Sequence, residues 1–148
     1  MLTCSKIYRD IPLSHRQPNH SGRCSRLHGH SWSITLTFCA TELDSNGFVV
    51  DFGELHYIAD WIDEHLVHGT IVCNSDPRID EIRALDQSGL LKIITIEQAS
   101  CEGIARHLFS VFEAMVKEKT KDRAWIQKIH VEEDSRNSAT FEPEKKGE

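Results

Sequence analysis

The sequence predicts an α+β domain, with helices packed on one face of a mostly antiparallel sheet. Three observations carry that expectation. Residues 31–38, SWSITLTF, alternate strictly, with Trp32, Ile34, Leu36 and Phe38 on one side and Ser or Thr on the other. Two further stretches repeat apolar residues at helical spacing: Leu55, Ile58, Ala59, Ile62 and Leu66 in the first, then Ile104, Ala105, Leu108, Phe109, Phe112 and Met115. Short β-like runs lie before, between and after them.

In chain order, residues 3–9 form a short first strand. The segment DIPLSHRQPNHSGRCSRLHGH, rich in Pro, Gly, Ser and Asn, is expected to be a long loop. A structureless loop of that length in a small domain is more often functional than idle. The confident strand SWSITLTF follows. DSNG at 44–47 is turn chemistry, and FVVDF at 48–52 reads as the return strand of a hairpin. A helix is expected from about Gly53 to about Leu66. Residues 69–90, GTIVCNSDPRIDEIRALDQSGL, read mostly as loop. KIITI at 92–96 is a strand, and Ser100 caps a second helix running to Thr120. WIQKIHVEE at 125–133 is the last strand. Residues 1–142 are expected to form a single domain, and 143–148 a disordered tail.

Composition excludes several classes. A chain of 148 residues is long enough for one buried core, and 39% hydrophobic with 27% charged residues suits a soluble globular protein. Net charge is −6, with no basic patch for nucleic acid and no apolar run near a membrane span. The start, MLTCSKIYRD, lacks the layout of a signal peptide, so a cytoplasmic location is expected. The cysteines at 4, 24, 39, 73 and 101 are odd in number and irregular in spacing, which favours reduced thiols over a disulfide framework.

Nine histidines are many for this length, and the pattern CSRLHGH is the first hint of a site. His28 and His30 stand two apart at the mouth of a strand, so their side chains share a face. Two imidazoles on one face converge on one ion only if a third ligand comes from elsewhere. His15 is the natural third, with His20 and Cys24 as competitors. Three protein ligands on zinc leave a fourth position open, which is the catalytic arrangement. If Cys24 ligates too, the site is closed and structural. If it does not, a thiol beside a cation has a lowered pKa and moves protons. The plainer alternative is a polar turn with solvent-exposed histidines.

The stretch SHRQPNHSGRCSRLHGHSW resembles the 6-pyruvoyl-tetrahydropterin synthase and 6-carboxytetrahydropterin synthase family, marked by a histidine, then a cysteine, three residues and His-Gly-His. GFVVDFGELH, LVHGTIV, QASCEGIA and KIHVEEDSRNSATF continue the likeness in order. The resemblance implies the tunnelling fold (T-fold), an antiparallel four-stranded sheet with two helices on one face. It implies zinc held by His15, His28 and His30, with Cys24 as the acid/base thiol and His68 as its partner in proton transfer. Glu133 would hold a pterin ring and Glu102 would assist. The substrate implied is 7,8-dihydroneopterin triphosphate. The assembly implied is a homo-oligomer, a hexamer, with sites between subunits. The product is 6-carboxy-5,6,7,8-tetrahydropterin for a queuosine-like pathway, or alternatively the product of triphosphate elimination. Arg16, Arg23 and Arg26 are candidates for holding the triphosphate.

The chain departs from the family pattern at two places. Val67 precedes His68 where aspartate is usual, and valine neither fixes an imidazole tautomer nor stabilises its protonated form. Asp63, Glu64 and Asp76 are candidate substitutes, His65 is a rival for the histidine role, and a pterin-binding homologue with impaired catalysis is a further alternative. At the second helix, Ala99, Ser100 and Cys101 replace the common Pro, Thr and small residue, and Gly103 replaces the frequent Asn. Glu102 is also what a helix dipole favours in a first turn. Cys4, Cys39, Cys73 and Cys101 read as buried small hydrophobes.

Overall fold

A computed structural model describes residues 1–144. Six strands and three α-helices follow one another as β1 (Thr3–His15), β2 (His28–Ala40), α1 (His56–His65), β3 (Gly69–Cys73), α2 (Ile79–Gln87), β4 (Ile93–Ile96), α3 (Cys101–Thr120), β5 (Ala124–Glu132) and β6 (Ser138–Phe141). One sheet takes all six strands in the order β4-β3-β1-β2-β5-β6. The β1–β2, β2–β5 and β5–β6 pairs are antiparallel, whereas β3 pairs in parallel with β1 and β4. The α+β class therefore stands, with corrections: six strands rather than four, a mixed rather than antiparallel sheet, and three helices rather than two.

The alternation in β2 has the expected outcome. Trp32, Ile34, Leu36 and Phe38 are almost fully buried and join a core cluster with Ile126, Ile129 and Val131 of β5. Ile58 and Ile62 of α1 and Leu108, Phe112 and Val116 of α3 complete the same cluster. Each large apolar side chain removed from water in this way contributes about 1.5–3 kcal/mol. Ser100 caps α3, its Oγ accepting from the Gly103 N–H at 3.1 Å. A side chain at Gly103 is barred, because a Cβ there would meet the Gln98 carbonyl oxygen at 2.1 Å.

Three sequence readings are overturned. The first strand does not stop at residue 9 but runs to His15, so the connection between β1 and β2 shrinks to 16–27, with a 3-10 turn at Arg23–Ser25. FVVDF is not a strand. The Val49 carbonyl accepts instead from Arg123 Nη2 at 2.9 Å, so a guanidinium takes the place of a ladder partner. The supposed loop 69–90 holds β3, buried at every position, and α2, whose Ile82 is buried. The expected disordered tail falls at 145–148 outside the described residues, and residues 142–144 carry no regular structure. Among the described residues no helix is long and apolar enough to cross a membrane.

Two irregularities in the sheet decide which side chains face the core. Between Tyr8 and Ile11, β1 holds one residue more than β2 does, and Asp10 adopts φ +57°. A single extra residue moves every later side chain to the other face. Ile11, Leu13 and His15 are consequently the buried positions of the second half of β1. A second shift, opposite Thr37 and Phe38, lies between Ile126 and Lys128 in β5. Beyond it Ile129 and Val131 are the buried residues, and Glu133 follows in the same phase. Glu113 of α3 supports this second bulge, accepting from the Ile126 N–H at 2.6 Å.

Candidate active site

The β1–β2 register pairs His15 directly with His28, and Leu13 with His30. Directly paired residues of an antiparallel ladder share a face, so the three imidazoles converge. Their ring centroids lie 4.7 to 5.3 Å apart, and one ligand nitrogen from each lies within 4.8 Å of the other two. Trp32 forms the floor: its ring meets His15 edge-on at 5.0 Å and His30 at 5.6 Å, while its Nε1–H donates to the Leu13 carbonyl at 2.9 Å.

Backbone carbonyls fix two of the rings. His15 Nδ1 lies 2.7 Å from the Ala99 carbonyl oxygen, and His28 Nδ1 lies 2.7 Å from that of Arg26. A carbonyl only accepts, so the proton sits on Nδ1 and Nε2 keeps its lone pair. This is the outer-shell arrangement that orients metal-binding histidines. His15 is 1% exposed, and burial pulls it below the ordinary imidazole pKa, favouring the neutral form that a cation needs. Among the described residues, His15 Nε2 and His30 Nε2 are the buried side-chain nitrogens left without a hydrogen-bond partner. Two unpartnered buried nitrogens aimed at one point are what a divalent, imidazole-binding ion would satisfy.

Glu133 faces the same point. Its Oε1 stands 3.1 Å from His15 Nε2 and 3.5 Å from His30 Nε2, within ion-pair reach but without the alignment of a hydrogen bond. Its backbone N–H donates to the Asn137 carbonyl at 2.9 Å, and Asp134 accepts from the N–H groups of Arg136 and Asn137 at 2.8 Å, which closes the β5–β6 turn. Cys24, on the 3-10 turn between β1 and β2, opens into the same cleft of about 480 Å³ as His28, His30 and Glu133. Arg23, Arg26 and Arg136 also line it.

The structure thus gathers His15, His28, His30, Cys24 and Glu133. His68 and Glu102 are not among the cleft's lining residues. Both are exposed. His68 adopts φ +57° where α1 hands over to β3, and its N–H donates to the Pro12 carbonyl at 2.9 Å. Arg16 is no anion ligand: it is buried and forked onto Asp76, by Nε to Oδ2 at 2.7 Å and by Nη2 to Oδ1 at 2.8 Å. That removes Asp76 as a partner for His68. Cys101 is half-buried, donates to the Val131 carbonyl at 3.4 Å, and is pushed up to about 12 by burial and then by the charges of Glu133 and Glu102. Sequence reasoning missed Gln17, whose Nε2 donates to the same Ala99 carbonyl as His15, at 2.9 Å. It missed Arg136 as well, and no pattern in the sequence marks either.

The sequence family described as 6-pyruvoyl tetrahydropterin synthase matches residues 5–144. The chain belongs to the 6-pyruvoyl tetrahydropterin synthase family. The 6-carboxy-5,6,7,8-tetrahydropterin synthase of Rickettsia bellii is 30% identical over 109 residues, covering 73% of this chain and 78% of that protein. The enzyme of that name from Bacillus subtilis is 40% identical over 60 residues, covering 40% of this chain and 36% of its own. Among solved structures, an uncharacterized protein from Wolinella succinogenes superposes with a TM-score of 0.81 at 18% identity, covering 97% of this chain and 98% of that one. The 6-pyruvoyl tetrahydropterin synthase of Caenorhabditis elegans gives 0.64 at 16%, covering 97% and 96%. These two likenesses establish the T-fold. In this chain three histidines and a glutamate meet beside a cleft that Cys24 also lines.

Proposed function

We propose that the protein is a zinc-dependent lyase that converts 7,8-dihydroneopterin triphosphate to 6-carboxy-5,6,7,8-tetrahydropterin, in the cytoplasm and in a deazapurine pathway, with residues 1–142 acting as one domain. The observation that carries this reading is the convergence of three histidine nitrogens and the Glu133 carboxylate beside a cleft that Cys24 lines. The names of the Rickettsia and Bacillus relatives favour the carboxy product over the pyruvoyl one.

His15, His28 and His30 would hold the zinc. When bound, zinc supplies Lewis acidity toward the substrate's side-chain oxygens. Glu133 anchors the flat pterin ring, since a carboxylate accepts two parallel bonds from adjacent N–H donors. Cys24 takes a proton from the substrate side chain and returns it. Arg23, Arg26 and Arg136 neutralise the triphosphate, a role suited to guanidinium groups on a chain of net charge −6. His68 and Glu102 act across a subunit interface, each reaching the cleft of a neighbouring copy in a homo-oligomer, a hexamer in the family pattern. This would account for their absence from the lining of the cleft within one chain.

The deciding experiment combines metal analysis of the purified protein with identification of the product from dihydroneopterin triphosphate. Bound zinc and released acetaldehyde are expected. Triphosphate release with the side-chain carbons retained would move the assignment to the pyruvoyl synthase. Val67→Asp separates both from a binding-only homologue: if the wild type binds pterin without turnover and the aspartate variant turns over, the enzyme reading fails.

A further inference from the structure

We propose that the buried Arg16–Asp76 ion pair is a strut that positions Cys24. The inference rests on the reading of Cys24 as the proton-transfer group and adds what holds it there. Cys24 lies on a 3-10 turn whose own hydrogen bonds are short in sequence range. The Ser25 N–H reaches back to the Gly22 carbonyl, the Arg26 N–H to the Arg23 carbonyl, and the Gln17 N–H closes the loop on the Cys24 carbonyl at 2.8 Å. These bonds fix the shape of the loop, and Gln17 Nε2, on the Ala99 carbonyl at 2.9 Å, ties its first residues to the fold, which leaves the Ser25 side of the turn to be held.

Arg16 supplies that hold. Two of its nitrogens fork onto Asp76, and the third, Nη1, donates to the Ser25 carbonyl at 2.6 Å, one residue beyond Cys24. Asp76 is itself buried and held by hydrogen bonds. It is 2% exposed, follows β3, and accepts from the Arg78 N–H at 2.9 Å through the Oδ1 that also takes Arg16. The turn is therefore tied through one planar guanidinium to the end of β3, the sheet element that begins beside His68. A lysine cannot make this connection, because its single nitrogen has no fork to span a carboxylate and a carbonyl together. Arg16 directly follows the buried His15 at the end of β1, so two consecutive residues supply a histidine of the triad and, through a guanidinium, the hold on the thiol's turn.

The test uses the full chain as purified, with two variants. Arg16→Met/Asp76→Leu replaces the buried pair by apolar groups, a change that proteins often tolerate. Arg16→Lys keeps the charge and loses the fork. Hydrogen exchange is read over residues 17–26 against β2 and β5, together with the alkylation rate of Cys24 by iodoacetamide, bound metal, and kcat and KM with dihydroneopterin triphosphate. Expected are faster exchange confined to 17–26, a change of about fivefold or more in Cys24 alkylation, unchanged metal, and a kcat lowered about 10–100-fold with KM nearly constant, as a misplaced reacting group produces. Wild-type exchange and alkylation in a folded variant would overturn the strut. A kcat loss that tracks metal loss would also overturn it, by showing that the pair acts through His15. If the double variant does not fold, Arg16→Lys gives the same reading. If the wild type shows no turnover, exchange and alkylation still decide the matter, so failure of the strut and failure of the enzyme reading are told apart.

Discussion

At the scale of single residues, the proposed function gives the three imidazoles and the thiol separable roles. His15 and His28 each spend Nδ1 on a carbonyl, which leaves Nε2 for a cation. Removing one of three ligands from an open site should abolish tight metal binding. His28→Ala and His30→Ala are expected to lose their metal, while Cys24→Ala keeps the wild-type content, as read by plasma mass spectrometry. Turnover in Cys24→Ala should fall by roughly 10²–10⁴, the usual weight of one acid/base group. Full metal loss in Cys24→Ala would instead make the thiol a ligand. Cys101 behaves oppositely to a catalytic thiol. Its thiol is held up to about 12, and only the thiolate reacts, so at pH 8 a fraction of about 10⁻⁴ is ionised. The sign follows: its alkylation should be negligible near neutrality and rise about tenfold per pH unit toward 12. Peptide mapping after timed alkylation of the native protein checks this. Rapid labelling of Cys101 at pH 7 would refute it.

At the scale of elements, the bulges matter most. Asp10 at φ +57° is the residue that turns Ile11, Leu13 and His15 inward. Asp and Asn tolerate this left-handed conformation and β-branched residues do not. Asp10→Val is therefore expected to destabilise the protein by about 1–2 kcal/mol and to weaken metal binding as well, while Asp10→Gly stays near wild type. Chemical denaturation and metal titration read both, and an Asp10→Val protein as stable as the wild type would show that the bulge is not held by this residue. Bulges also explain what the sequence hid. The uninterrupted alternation of SWSITLTF made β2 plain, whereas in β1 the extra residue and Pro12 broke the period, so a strand looked like a loop. β3 is five buried residues with no alternation to read, because it is paired on both sides and covered. FVVDF misled for the converse reason: Val49 and Val50 are buried as in a strand, but Phe48 and Phe52 are exposed and the Val49 carbonyl is taken by Arg123.

At the scale of the whole molecule, a shared site between subunits would bring His68 to Cys24. Within one chain His68 stands at the α1–β3 junction, its N–H on the Pro12 carbonyl, three residues before His15 and so roughly 10 Å along the strand from that histidine. If subunits share a site, mixed oligomers of Cys24→Ala and His68→Ala should contain some intact sites. Dissociated and reassembled mixtures are expected to recover roughly a quarter of wild-type activity, although each variant alone is inactive. No recovery, with mixed oligomers verified by mass, would place both residues in the site of one chain or remove His68 from the chemistry.

The sequence by itself determined the residue types of the site and the order of most elements. Cysteine and histidine spacing, one clean period-two strand and two amphipathic helices are local properties, legible because they repeat over a few residues. Only the tertiary structure decided which side chains meet. Bulges in β1 and β5 set the phase that brings His15 and Glu133 to one point, and the Arg16–Asp76 pair takes two candidate site residues out of the cleft. The physical reason is range. A single inserted residue reverses every face beyond it, and a buried charge finds its partner 60 positions away along the chain. Neither leaves a local pattern to read.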